Sequence, residues 1–172
     1  MPSRSARITV LLCVVIGLVG SLGITPVSAG SDRELLERIA IQIHHDKRLE
    51  STQVHVLVQN GQVVLSGTVY LYSQKMLYEQ IVWQTPGVVE VDNEIRVIPR
   101  LQVKDAEIAR HIRIMIKGHQ RFQNAEITVD VTQGSVSLSG TFYDPGDVLF
   151  LKHQVAEIEG VIRLEILARF AT

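Results

Sequence analysis

The sequence predicts an α+β fold made of two tandem α-β-β-α-β units, each a small mixed three-stranded sheet with two helices on one face. The first observation behind this prediction is a repeat, because residue n matches residue n+73 without a gap from Asp32 to Phe170. The second is a hydrophobic pattern that alternates within each copy between helical spacing and strand spacing. The third is the short, half-apolar segment 99–103 between the copies, which predicts that the two domains pack together.

In the first copy, residues 32–46 carry apolar side chains at helical spacing, and Ser31 and Asp32 are candidates for the N-cap. Valines then alternate up to Asn60-Gly61, a pair typical of a tight hairpin turn with positive φ. A second strand follows this turn, with the same alternation.

Residues 72–84 return to helical spacing, and Pro86-Gly87 ends this second helix. Residues 89–97 alternate again and form the last strand of the unit. The second copy repeats the order, with helices that begin near Asp105 and Pro145.

Several glycines recur in both copies. Gly61 pairs with Gly134, and Gly67 pairs with Gly140. We expect the first pair to supply turn residues and the second pair to let a helix approach a strand closely. This repetition indicates a structural role, not a functional site.

Residues 1–29 have the pattern of an export signal. Arg4 and Arg7 precede an apolar run at 8–24, and small residues stand at 27–29. We predict a cleaved signal peptide and a periplasmic protein, with an uncleaved membrane anchor as the alternative. The predicted division is signal peptide 1–29, first domain 30–98, linker 99–103 and second domain 104–172.

The composition of the predicted mature chain excludes several functions. Two of the 17 Lys and Arg residues lie in the signal, so 15 remain against 18 Asp and Glu, and the chain is weakly acidic. An acidic exported protein is a poor partner for nucleic acid. The sole cysteine, Cys13, also lies in the signal, which leaves no disulfide, thiol nucleophile or cysteine metal site.

No catalytic constellation stands out. The six histidines do not recur between the copies, which is typical of solvated or structural residues rather than metal ligands. Ser66 and Ser139 precede glycines but lie in the middle of predicted strands, without the strand-to-helix turn that exposes a nucleophile. We therefore predict a protein that is not an enzyme and that holds no metal and no cofactor.

The motifs of both copies resemble the BON domain. They are Val63-x-Leu65-x-Gly67 followed by Pro86-Gly87-Val88-Val89, and Val136-x-Leu138-x-Gly140 followed by Gly160-Val161-Ile162. The second copy departs from the pattern at Ile166, where the first copy has Asn93, so we expect its last strand to be less secure. The resemblance implies a non-catalytic envelope protein that contacts anionic phospholipid or envelope protein partners under envelope or osmotic stress.

The leading helices of the two copies differ in charge. Residues 104–121 contain five Lys and Arg against two acids, whereas residues 31–48 contain four of each. Ile114 lies away from the apolar stripe of its helix, and so does Ile41 in the first copy. A basic helix with an outward apolar residue suits an anionic lipid surface, and packing against the other domain is the alternative. The predicted lipid-binding residues are Arg110, His111, Arg113, Ile114 and Lys117, with His111 as a pH-dependent contributor.

A second candidate surface lies on the second helix of the first copy. Tyr72, Met76 and Trp83 follow one another at helical spacing, away from the predicted buried edge. They predict a protein interface, which would make the molecule a periplasmic adaptor or a chaperone-like module. Packing between the two domains is again the alternative.

Overall fold

A computed structural model describes residues 29–171 and shows two α-β-β-α-β units in succession. The first unit comprises α1 (Ala29–His45), β1 (Gln53–Gln59), β2 (Gln62–Val69), α2 (Tyr72–Gln84) and β3 (Glu90–Val97). The second unit comprises α3 (Asp105–Gly118), β4 (Ile127–Thr132), β5 (Ser135–Phe142), α4 (Pro145–Ala156) and β6 (Arg163–Phe170). A short 3₁₀ helix follows the leading helix of each unit, at Lys47–Leu49 and Gln120–Phe122.

Each unit contains one mixed sheet, with β2 or β5 in the middle. β1 runs antiparallel to β2, and β3 runs parallel to β2; β4, β5 and β6 repeat this arrangement. Val63, Leu65 and Val69 of β2 are buried under the helices, while the residues between them are partly exposed on the other face. The predicted fold class is therefore confirmed, and β1, β3, β4 and β6 are the sheet edges.

An aspartate at the start of each leading helix fixes the hairpin turn of its own unit. Asn60 and Gly61 have φ angles of 52° and 78°, as predicted for this turn. Their backbone N–H groups donate to the carboxylate of Asp32 at 2.7 and 3.0 Å. Asp105 accepts the same two bonds from the turn Gln133-Gly134, at 2.8 and 2.9 Å.

The predicted N-cap role of Ser31 and Asp32 is wrong. α1 begins at Ala29, so both residues lie inside the first helical turn. The carboxylate of Asp32 satisfies the hairpin turn, because a turn with two left-handed residues leaves outward N–H groups that need an acceptor.

The expected reason for Gly67 and Gly140 is also wrong. A Cβ atom on Gly67 would lie 2.1 Å from the carbonyl oxygen of Gln53, and one on Gly140 would lie 2.5 Å from that of Glu126. The close neighbour is therefore the backbone at the start of the edge strand, not a helix. Gly67 also has a φ of 128°, which disfavours any side chain.

The two domains pack together, as the short linker predicted. α2 contacts α4, and Tyr72 and Val103 pack against the core of the second domain. The linker is held on both sides, because the Arg100 guanidinium lies 4.1 Å from the ring centroid of Tyr70 and the backbone N–H of Leu101 donates to Glu159 at 3.1 Å.

The space between the second helix and the last strand is polar in the first unit. The ammonium of Lys75 donates to the carbonyl oxygens of Asn93 and Ile95 at 3.1 and 2.8 Å. The amide of Asn93 donates to the carbonyl oxygen of Lys75 and to the carboxylate of Glu79, and its oxygen accepts from the N–H of Ile95. Burial lowers the pKa of Lys75.

The second unit fills the same space with apolar side chains. Val148 and Ile166 stand at the positions of Lys75 and Asn93, and both pack against the second core. β6 pairs with β5 over eight residues, as many as β3 pairs with β2. β6 is therefore paired over its full length, and its lower security stays a prediction.

Candidate functional site

The outward face of α3 is apolar at its centre. Ile108, Ile112 and Ile116 are buried against the second core. Ile114 lies about 160–200° around the helix from Ile112 and Ile116, at about 100° per residue. It is 56% exposed. An isoleucine in this position contributes nothing to the core and is available to another surface.

Basic side chains surround Ile114. Arg110 and Lys117 lie about 40–60° to one side of it and His111 about 60° to the other, at the helical spacing of about 100° per residue. The guanidinium of Arg110 and the imidazole of His111 are 3.2 Å apart. Glu107 is the acid on this face, two turns nearer the start of the helix.

Arg110, His111 and Lys117 take part in no ion pair within residues 29–171. The ion pairs of that part of the chain are Arg33–Glu37, Arg48–Asp46 and Arg121–Asp147, at 3.2, 2.6 and 3.1 Å. The face formed by Arg110, His111, Ile114 and Lys117, which we call the basic face, therefore carries positive charge without an anionic partner from the described chain.

Arg113, another predicted lipid-binding residue, is engaged elsewhere. Its guanidinium donates to the carbonyl oxygen of Val129 on the edge strand β4 at 3.0 Å. The structure thus gives Arg113 a role at the sheet edge, and its charge lies about 100° around the helix from Ile114. The basic face does not need it.

The equivalent face of α1 has the same shape and a different charge. Ile41 is 57% exposed, which matches Ile114. Glu37 stands at the position of Arg110 and forms its ion pair with Arg33. Arg38 donates to the carbonyl oxygen of Pro86 at 3.0 Å, and Ala40 stands at the position of Arg113. The first domain therefore offers a built-in comparison for the basic face.

The structure does not bring Tyr72, Met76 and Trp83 together as one exposed surface. Tyr72 packs against the second core, and burial raises its pKa. Met76 lines a cleft of about 250 Å³ that also contains His153 of α4. For Tyr72 the alternative, packing between the domains, is the observed one. Trp83 is 52% exposed and is the part of the predicted interface that remains open.

A groove that the sequence did not predict lies between α1 and the edge strand β1. Its volume is about 420 Å³, and it is lined largely by apolar side chains. These include Ala40, Ile43, Leu49, Val54 and Val56. The signal that could have revealed it is the complete absence of charge from residues 53–59. We call this feature the β1 groove.

Between residues 29 and 171, no group of three or more His, Cys, Asp or Glu side chains lies close enough to hold a metal ion. Among the helices in that range, none has the length and apolar character needed to cross a bilayer.

The structure defines the class of this protein as a tandem of two small α-β-β-α-β modules, joined by a short linker and differentiated by charge. The profile of the BON domain matches residues 31–99 and again residues 104–164. The chain therefore belongs to the BON domain family and carries two copies of the domain, as the sequence motifs predicted.

The chain is also similar to individual proteins, at identities of 30% or less. The chain is 30% identical over 125 residues to a 21 kDa hemolysin of Actinobacillus pleuropneumoniae, a match that covers 68% of this chain and 64% of that protein. It is also similar to CdsD, a structural protein of the type III secretion system of Chlamydia trachomatis. That match has a TM-score of 0.30 and 12% identity and covers 80% of this chain and 93% of the other. The C-terminal domain of CdsD matches with the same TM-score, 15% identity, 78% of this chain and 64% of the other.

Proposed function

We propose that this protein is an exported, non-enzymatic envelope protein whose second domain docks on anionic phospholipid through the basic face of α3. The location is the periplasm, with the membrane surface as the main partner and a role in envelope integrity or osmotic stress. The observation that carries the proposal is an exposed isoleucine beside Arg110 and Lys117, neither of which has an ion pair within residues 29–171, whereas the equally exposed isoleucine of α1 has the ion-paired Glu37 at the position of Arg110.

The energetics predict weak and reversible binding. Each cation near an anionic membrane contributes about 1 kcal/mol, so Arg110 and Lys117 together give about 2 kcal/mol. Ile114 is already partly covered, so burial of the rest of its side chain at the lipid boundary adds about 1 kcal/mol. A total of about 3 kcal/mol corresponds to a dissociation constant of about 6 mM. Binding should therefore depend strongly on salt and on the number of domains that reach the surface at once.

Vesicle co-sedimentation tests the proposal directly. We expect the purified chain to sediment with vesicles of phosphatidylglycerol and phosphatidylcholine at low salt, and to stay in solution with phosphatidylcholine alone or at high salt. Ile114→Glu and the double variant Arg110→Glu/Lys117→Glu should abolish the sedimentation. Ile41→Glu is the matched control, because it places the same charge at an equally exposed isoleucine on α1 and should leave binding intact.

Two results would contradict the lipid proposal. One is the absence of sedimentation with every anionic vesicle tested, and the other is an equal loss of binding in Ile41→Glu and Ile114→Glu. Arg113→Glu is a poorer probe, because it also removes the hydrogen bond to β4.

The exposed indole of Trp83 favours a second candidate function, that of a periplasmic adaptor or chaperone-like binder. Trp83→Ala distinguishes the two. Under the lipid proposal this variant sediments with anionic vesicles as the unchanged chain does. An adaptor would lose the capture of envelope proteins in the Trp83→Ala variant and keep it in the Arg110→Glu/Lys117→Glu variant.

A further inference from the structure

Of the four sheet edges in residues 29–171, β1 is the one without a charged residue. Its sequence is Gln-Val-His-Val-Leu-Val-Gln, with histidine as its sole titratable side chain. Each of the other three edges carries at least one charged residue. These charges are Glu90, Asp92, Glu94 and Arg96 on β3, Asp130 on β4, and Arg163, Glu165 and Arg169 on β6. Charged side chains on edge strands prevent pairing with other chains, so β1 lacks a protection that the other edges have.

The free backbone groups of β1 belong to its valines. The two-residue turn makes Gln59 and Gln62 a hydrogen-bonded pair, and hydrogen-bonded and non-hydrogen-bonded pairs then alternate along the antiparallel ladder. Val54, Val56 and Val58 therefore direct their N–H and C=O groups away from β2. These three residues form a row of unpaired donors and acceptors beside the β1 groove.

The second domain closes the corresponding edge. There Arg113 reaches across from α3 and donates to the carbonyl oxygen of Val129, which is the counterpart of Val56. The first domain has Ala40 at the position of Arg113, and the methyl group of alanine cannot donate a hydrogen bond to the strand. One edge strand is thus capped by a charged side chain, and its counterpart is open.

We propose that β1 pairs with β1 of a second copy of this chain, antiparallel about a twofold axis at Val56. The evidence for this occupant is that the strand reads almost the same in both directions. In this register Gln53 faces Gln59 of the second copy, Val54 faces Val58, Val56 faces itself, and His55 faces Leu57. The outward groups of all three valines then pair across the axis, and the two sheets become one six-stranded sheet.

The side chains also suit this arrangement. Valine faces valine on the side of the helices, and no like charges meet anywhere along the strand. Leu57, which is 55% exposed in one chain, gains cover from the histidine opposite it. A foreign extended peptide could use the same backbone groups, but it would have no reason to match this particular order of side chains.

The first test transfers the cap of the second domain to the first. Ala40→Arg places a guanidinium over the Val56 carbonyl, as Arg113 does over Val129. Light scattering after size exclusion should show a dimer for the unchanged chain and a single chain for Ala40→Arg. Gln42→Arg is the matched control, because it adds the same charge to the same exposed helix about 200° away from Ala40. It should remain a dimer.

The second test reads the register and does not rely on the fold of Ala40→Arg. In a Cys13→Ser background, His55→Cys/Leu57→Cys places thiols in a non-hydrogen-bonded pair whose Cα atoms are about 4.5 Å apart, within reach of a disulfide. Mild oxidation should give a covalent dimer. Leu57→Cys alone should not, since the two copies of that residue are diagonal neighbours about 7–8 Å apart.

A chain that is monomeric at all accessible concentrations overturns this proposal, as does a dimer that survives Ala40→Arg. A monomer that binds extended peptides at β1 identifies a foreign strand as the occupant instead. Neither result affects the lipid proposal, because the basic face lies in the other domain and its vesicle test uses different residues.

Discussion

The polar contacts between α2 and β3 lead to the most quantitative prediction. Lys75→Val removes two hydrogen bonds from an ammonium to backbone carbonyls, at 3.1 and 2.8 Å. Each of these hydrogen bonds contributes about 1.5 kcal/mol to the free energy of unfolding. The burial that lowers the pKa of Lys75 costs part of this gain, so the variant should lose about 2 kcal/mol of stability. Asn93→Ile removes three hydrogen bonds and leaves the Ile95 N–H without its acceptor, for a similar loss of about 2 kcal/mol.

The double variant Lys75→Val/Asn93→Ile should lose less stability than the sum of the losses of the two single variants. It reproduces the pair Val148 and Ile166 of the second domain, which packs as part of an apolar core. We expect a favourable coupling of about 1.5 kcal/mol between Lys75→Val and Asn93→Ile.

Urea unfolding followed by the fluorescence of Trp83 measures this coupling in the first domain, since Trp83 is the single tryptophan of the chain and lies on α2. Ile166→Asn in the second domain is the control. This variant should destabilise the second domain, because Val148 offers the new asparagine no hydrogen-bond partner. Circular dichroism can follow the unfolding of this domain. Losses that add within about 0.3 kcal/mol would refute the view that the two positions changed as a pair.

Three further predictions concern fold and pH. Asp105→Asn and Asp32→Asn should each lose about 1–2 kcal/mol of unfolding free energy, with faster hydrogen exchange at the amides of the corresponding hairpin turn. Unchanged exchange would contradict the role of these aspartates as acceptors for the turn. Burial raises the pKa of Tyr72 in the folded protein above its value in the unfolded chain. The contribution of Tyr72 to stability is therefore fully present below about pH 10 and is lost as the pH rises through the folded pKa. Tyr72→Phe should reduce this alkaline loss, and an unchanged pH profile of thermal unfolding would count against it. Gly67→Ala should cost more than about 3 kcal/mol in chemical denaturation, whereas Gly118→Ala, with open space around the added methyl, should be neutral or slightly stabilising.

Much of the fold could be predicted from the sequence because it rests on local signals. Hydrophobic spacing located the four α-helices of residues 29–171, and Asn60-Gly61 fixed the hairpin through backbone conformations that few residues adopt. Because the repeat has no gap, the pattern of each element occurs twice, once in each copy.

The errors arose where the decisive partner is distant in the sequence. Asp32 has the residue type of an N-cap, and nothing local reveals an acceptor for a turn 28 residues away. Gly67 signals a close approach, but the approaching group is the edge strand and not a helix.

The same limit applies to the candidate site. The outward position of Ile114 follows from helical geometry, and the structure confirms its exposure. The engagement of Arg113 by Val129 and the burial of Tyr72 against the second domain depend on tertiary contacts that spacing alone does not encode.

The different chemistry behind β3 and β6 has a consequence for how the chain folds. A polypeptide that contains one fold twice risks exchanging equivalent segments between its halves. If α2 settled on β6, the ammonium of Lys75 would lie against Ile166, and if α4 settled on β3, Asn93 would face a valine. Each exchange would bury a polar group in an apolar space without its hydrogen-bond partner, which costs free energy. The residues at these two positions therefore favour packing of each helix on the last strand of its own module.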